Sequence, residues 1–237
     1  KPEDLDLHIT AGAKKVVLSA PIKEGKGDET FVFGANEKDL KHDHTAISNA
    51  SCTTNCIAPV MAVLSAHLGI EKSMMTTIHS YTASQALQDA PAKDLREGRN
   101  AAENIVPTTT GAAKAAALTV PELQDLFDGL SIRVPTPVVS LSDITLVSKK
   151  DTTVEEVNEI LINASKQERY KGILAVTNEP LVSSDLIGDS HSAIIDLALT
   201  KVVGGNLVKV VAWYDNEWGY SNRLVEMVAL ASHSLKH

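Results

Sequence analysis

Between residues 52 and 68, the apolar positions Ile57, Val60, Met61, Leu64 and Leu68 recur at intervals of three and four, and Gly69 stands behind them. That period predicts a helix with a glycine stop, its first turn formed by Ser-Cys-Thr-Thr-Asn-Cys. Upstream, Leu5 and Ile9 share a helical face ahead of Gly12. The β-branched run in Lys14–Ala20 predicts a strand, Thr30–Phe33 a second, and Ala46–Ser48 the approach to a third, with a Gly- and charge-rich loop at 21–28. Downstream, Met74–Tyr81 has strand character. Residues 82–110 have no clean period and carry Pro91 and Pro107; they read as one long loop, a kind of segment that is usually functional or disordered. The Ala-rich stretch from Gly111 predicts a helix. Ser131–Lys149 holds two strand-like runs around Pro135 and Pro137. Thr152 and Glu155 have capping-box spacing ahead of Val154, Val157, Ile160 and Leu161 on one helical face. Leu197–Val203 and Leu207–Tyr214 flank Gly204-Gly205-Asn206 as a hairpin, and Ser221–Ser232 forms a closing helix. Most of the middle strands can pair antiparallel, giving a mixed or antiparallel sheet with helices on one side, an α+β pattern. The first segment and the last helix read as parts of a separate α/β layer.

Composition narrows the possible functions. The 237 residues are 43% hydrophobic and 22% charged, with a formal net charge of -8. A nucleic-acid surface needs clustered Lys and Arg to displace counterions, and this balance argues against one. The two cysteines, Cys52 and Cys56, lie in one short segment, too few and too close for a disulfide scaffold. A reducing compartment, and hence the cytoplasm, is the expectation. No apolar run is long enough to cross a bilayer, and no signal pattern is present. The chain starts at Lys1, inside a helical pattern. That start suggests an upstream part outside this sequence, or else a processed N-terminus.

Cys52 stands where the apolar helix begins. Free N–H groups at a helix start favour negative charge, so a thiol there ionises more easily, and thiolate is the attacking species. Cys56, one turn on, would have at most a supporting role. The two cysteines would supply only half a zinc site, and no second close pair of ligands completes it. A thiolate needs a partner, and His79, at the end of the MMTTIHSY strand, is the candidate. Taken singly, these residues read more readily as structural: Cys52 as a buried cysteine, His79 as a strand histidine, Arg96 and Arg133 as surface charges.

Five segments in order change that balance: SNASCTTNC (48–56), TTIHSYT (76–82), PTTTGAAKA (107–115), RVPTP (133–137) and WYDNEWGYSNR (213–223). Together they resemble the phosphorylating glyceraldehyde-3-phosphate dehydrogenase family of glycolysis, and the resemblance runs from end to end. It implies Cys52 as nucleophile and His79 as the group that keeps it ionised and serves as acid and base. It implies Thr82 and Arg133 at the phosphate of the substrate. Ser51, Thr53, Thr110, Gly111 and Arg96 would lie around inorganic phosphate and the substrate, with Ser19 and Asn216 contacting the cofactor. It further implies NAD as cofactor, glyceraldehyde 3-phosphate and phosphate as partners, and a homotetramer assembled largely through the catalytic sheet and the loop near 82–110.

One departure matters. The family opens with a dinucleotide-binding unit carrying G-x-G-x-x-G, and no such fingerprint occurs in these residues. By the resemblance, residues 1–50 are the remainder of the NAD-binding domain, 51–218 the catalytic domain, and 219–237 a helix packing back on the former. The chain by itself is then expected to bind NAD weakly or not at all. Two rival readings remain at this point: a cysteine hydrolase of another fold, and a truncated binding or adhesin form without dehydrogenase activity.

Overall fold

The computed structural model describes residues 2–22 and 29–233. The anticipated loop at 21–28 therefore lies mostly outside the described residues, as do Lys1 and positions 234–237.

An eight-stranded mixed sheet forms the body, in the order β4-β5-β3-β6-β10-β8-β7, with β9 pairing to β10. Its strands are β3 (Ile70–Ser80), β4 (Val106–Thr109), β5 (Phe127–Val134), β6 (Ser140–Ser148), β7 (Leu174–Thr177), β8 (Ala193–Asp196), β9 (Lys201–Val203) and β10 (Leu207–Tyr214). Alternate residues of β6 are buried from Ser140 to Ser148, the period-two signature of a sheet with one covered face. That face carries Met75, Ile144, Leu146, Val208, Val210 and Tyr214, in one cluster with α2 (Cys52–Leu68), α3 (Ala112–Thr119) and α4 (Val154–Ser165). α2 is enclosed nearly all round: Ile57, Val60, Met61 and Leu64 are 0% exposed. Each such side chain contributes about 1.5–3 kcal/mol of burial, so α2 is the anchor of the core.

A separate two-stranded parallel sheet, β1 (Val16–Leu18) with β2 (Ala46–Ser48), lies beside α1 (Pro2–Thr10). The closing helix α5 (Trp218–His233) packs Met227 and Ala231 against Phe31 and Ile47 of this segment. The α+β architecture stands.

The structure corrects several local expectations. Thr30–Phe33 makes only one bridge, Thr30 to Ser48, because the chain turns at once under Asn36. The long loop contains β4, which pairs antiparallel with β5 and so has a sheet partner that no local period could reveal. Most of the middle strands pair antiparallel, as expected; β3 with β5 and β7 with β8 run parallel, each pair joined by a crossover long enough to permit it. β7 and β8 themselves went unread, and 197–199 is a 3-10 turn rather than strand. The cap of α4 is Thr153, which accepts from the Glu156 N–H at 3.2 Å, while Thr152 bonds the Glu156 carboxylate.

Candidate active site

The site begins with a strained turn. Ala50 is 0% exposed and has φ 55, a left-handed conformation uncommon for a residue with a Cβ. Its N–H donates to the Ser48 hydroxyl and its carbonyl accepts from the Tyr220 hydroxyl. Asn55 then donates from Nδ2 to the Asn49 and Ser51 carbonyls at 2.8 and 3.0 Å. These bonds turn the chain from β2 into α2 within three residues. Ser51 caps α2, its hydroxyl accepting from the Thr54 N–H at 3.1 Å. Cys52 is the first helical residue and is half-buried.

His79 enters from β3, and its Nε2 lies 3.6 Å from the Cys52 sulfur. Parallel pairing places Arg133 of β5 directly beside it in register. The Arg133 Nη1 is 2.6 Å from His79 Nδ1 and 3.4 Å from the Ser80 carbonyl, while His79 Nδ1 is itself 2.8 Å from that carbonyl. Among the described residues no carboxylate pairs with Arg133, and its buried Nε has no hydrogen-bond partner. Among the described residues the guanidinium has no counter-anion, and its charge favours the thiolate form of Cys52.

Electrostatics differ from the expectation of an easily ionised thiol. Burial pushes the Cys52 thiol up; the Thr53 hydroxyl and N–H, Arg133 and the residue's own N–H pull it down and are outweighed. Burial also drives His79 down to about 4, with the Arg133 cation second and the Ser80 carbonyl opposing both. Burial thus favours the uncharged form of both partners. Cys56, buried one turn further on, is held well above the usual thiol range by desolvation.

The remaining expected residues fall in five places. Thr53 is at the centre, buried, with its hydroxyl 2.9 Å from the Tyr214 hydroxyl. Asn216 is also buried there, its Oδ1 accepting from the Ser80 and Ser140 hydroxyls at 3.0 Å each. Thr82 lies just past β3, bonded to Ser84. Ser19 is exposed at the end of β1, in a segment tied to the site by the Asn49 N–H bonding Leu18 and Ser48 bonding Ala20. The Thr110 hydroxyl accepts from the Ala112 N–H in the turn that leads into α3, and Gly111, the cap residue of that helix, faces open space. Arg96 is not brought to the pair: it is exposed in the loop, along a groove of about 810 Å³ with Lys93, Thr108 and Leu130.

Two tyrosines were missed. Tyr214 is 1% exposed, bonds both Thr53 and Thr77, and stands edge-on to the His79 ring at 6.0 Å. Tyr220 reaches back from α5 to the Ala50 turn. Both lie in the WYDNEWGYSNR segment. The signal was a buried strand-end aromatic with a polar tip, which needs a partner.

This is an α+β domain built around a cysteine–histidine pair, with a guanidinium against the imidazole. Residues 51–216 match the family model described as glyceraldehyde 3-phosphate dehydrogenase, C-terminal domain, and the chain belongs to that family. It is 52% identical over 233 residues to the glyceraldehyde-3-phosphate dehydrogenase of Zymomonas mobilis, covering 98% of this chain and 69% of that protein. It is 53% identical over 228 residues to the enzyme of the same name from Mycobacterium avium, covering 96% and 66%. The chain thus spans about two-thirds of the length of these relatives.

Proposed function

We propose that the chain is the catalytic part of an NAD-dependent, phosphorylating glyceraldehyde-3-phosphate dehydrogenase acting in glycolysis in the cytoplasm. The observation that carries this reading is the 3.6 Å approach of Cys52 to His79, with Arg133 against the imidazole. Cys52 sulfur adds to the aldehyde carbon, and the thiol proton passes to His79. The N–H groups at the start of α2 stabilise the oxyanion of the hemithioacetal. After oxidation to the thioester, inorganic phosphate attacks the acyl carbon, the sulfur leaves, and His79 supplies a proton as needed. Arg133 and Thr82 hold the substrate phosphate, while Ser51, Thr53, Thr110 and Gly111 surround the incoming one. Arg96 joins them on movement of its loop.

The donor set fits a nicotinamide. With Oδ1 of Asn216 taken by two serines, its amide NH₂ remains for a carboxamide oxygen. Asn216 and Ser19 would hold the ring side of NAD, which when bound supplies the hydride acceptor. A homotetramer is proposed in which the 82–110 loop, with exposed Leu87, Leu95 and Ile105, meets a neighbouring copy. A binding protein without turnover has no observation of its own in its favour.

The thioester step runs backwards without cofactor, which gives a direct test. Acetyl phosphate is expected to acetylate Cys52 and release phosphate, read by intact mass and peptide mapping. Cys52→Ser should take up none, and His79→Asn should be slower by about 10²–10⁴-fold. Equal acetylation of Cys52→Ser would overturn the reading.

A further inference from the structure

A cavity of about 530 Å³ opens between the last turn of α3 and the segment 31–44. Small-molecule sites commonly have this volume, and its lining shares no residue with the site described above. The wall formed by 31–44 is held in place from behind. Asn36 accepts from the Val32 N–H at 2.9 Å and donates to the Thr30 carbonyl at 2.8 Å. Lys15 Nζ donates to the His42 and His44 carbonyls at 2.6 and 2.8 Å. The His44 ring stands edge-on to Phe31 at 5.0 Å, and its Nδ1 accepts from the Lys41 N–H at 2.9 Å. The neutral ring therefore carries its proton on Nε2, a donor with no partner among the described residues.

The same rim carries one cation and one anion that the fold does not use. Lys41 and Asp39 are exposed and two residues apart, and among the described residues neither side chain has an ion-pair or hydrogen-bond partner, including each other. The facing wall is apolar: Ala117, Pro121 and Leu118, the last 49% exposed. A ligand that is only an anion would meet Asp39, and one that is only a cation would meet Lys41; like charges brought together oppose binding. A wholly apolar ligand would cover both charges without pairing either. The lining is complementary to a zwitterion with an apolar body. We propose that this cavity binds a free α-amino acid with a large apolar side chain. Its carboxylate takes Lys41 Nζ and His44 Nε2–H, its ammonium takes Asp39, and its side chain lies on the α3 wall. The inference stands independently of the reaction proposed at Cys52.

The test is calorimetric titration of the 237-residue chain with L-phenylalanine and L-leucine, alongside amide NMR to locate the bound molecule. One-to-one binding is expected, with a Kd of about 1 mM or tighter, and the shifted signals should fall in 36–44 and 117–124. Phenylalaninamide lacks the carboxylate and N-acetylphenylalanine lacks the ammonium; each should bind at least about tenfold more weakly than phenylalanine. Asp39→Asn should weaken phenylalanine by a similar factor and leave the N-acetyl form no weaker. Lys41→Met should weaken phenylalanine likewise and leave the amide no weaker. Both side chains are exposed, and circular dichroism checks that each variant folds; if one does not, the two analogues on the native chain still decide. The proposal is overturned by the absence of saturable binding up to about 10 mM, by shifts confined to other parts of the chain, or by analogues that bind as tightly as phenylalanine.

Discussion

At His79 burial and the Arg133 cation act in the same direction, and the result is measurable as stability. The folded chain holds the imidazole near 4, against 6.5 for the free group. Between those values the unfolded chain binds a proton that the folded chain refuses, so stability falls as pH drops from about 6.5 towards 4. The loss is at most about 3 kcal/mol. Denaturant midpoints at pH 7 and pH 5 should differ for the native chain, and His79→Asn should remove that part of the difference; an unchanged difference would assign it to other groups. Tyr214 works at the same scale. Its hydroxyl joins Thr53 of α2 to Thr77 of β3, so it fixes the distance between the elements that carry Cys52 and His79. A reader of the sequence can find Cys52 and His79 from their motifs. The Arg133–Nδ1 contact was invisible there, because it depends on the parallel register of two strands far apart in the chain.

At the scale of elements, α2 holds the site because everything else packs on it. Gly34 shows how closely. It has φ +79, and a Cβ there would lie 2.9 Å from the Pro59 Cβ and 3.2 Å from the Tyr170 ring. Gly34→Ala meets both backbone strain and overlap with the middle of α2, and we expect a loss of about 1–3 kcal/mol in thermal or chemical unfolding. An alanine variant as stable as the native chain would show that this turn yields easily. The helices were legible because their apolar period is local: α2 and the Gly69 stop fall where the spacing put them. β4, β7 and β8 were not, since four-residue strands leave too little period to read and their reason for being strands is a partner elsewhere.

At the scale of the molecule, the segment 82–105 is ordered without regular structure. Backbone bonds join Ala86 to Glu97 and Ala101, and Ala90 to Gly98, and Asp89 accepts from Arg99 and from the Asn100 N–H. This framework presents Leu87 and Leu95, each 81% exposed, an apolar display that a solvated loop has no use for. Replacing both by Asp should lower the mass found by sedimentation while leaving circular dichroism unchanged; unchanged mass would exclude this loop from the assembly contact. Charge, helical periods, the hairpin glycines and the five motifs are local properties of the chain, and the sequence by itself determined the fold class and the family and pointed to Cys52 as the candidate nucleophile. What only the tertiary structure decided is the electrostatic setting of that cysteine and its histidine. At Cys52 desolvation outweighs both the helix start and the Arg133 cation, while at His79 desolvation and that cation act together, and these effects arise only when distant segments pack together.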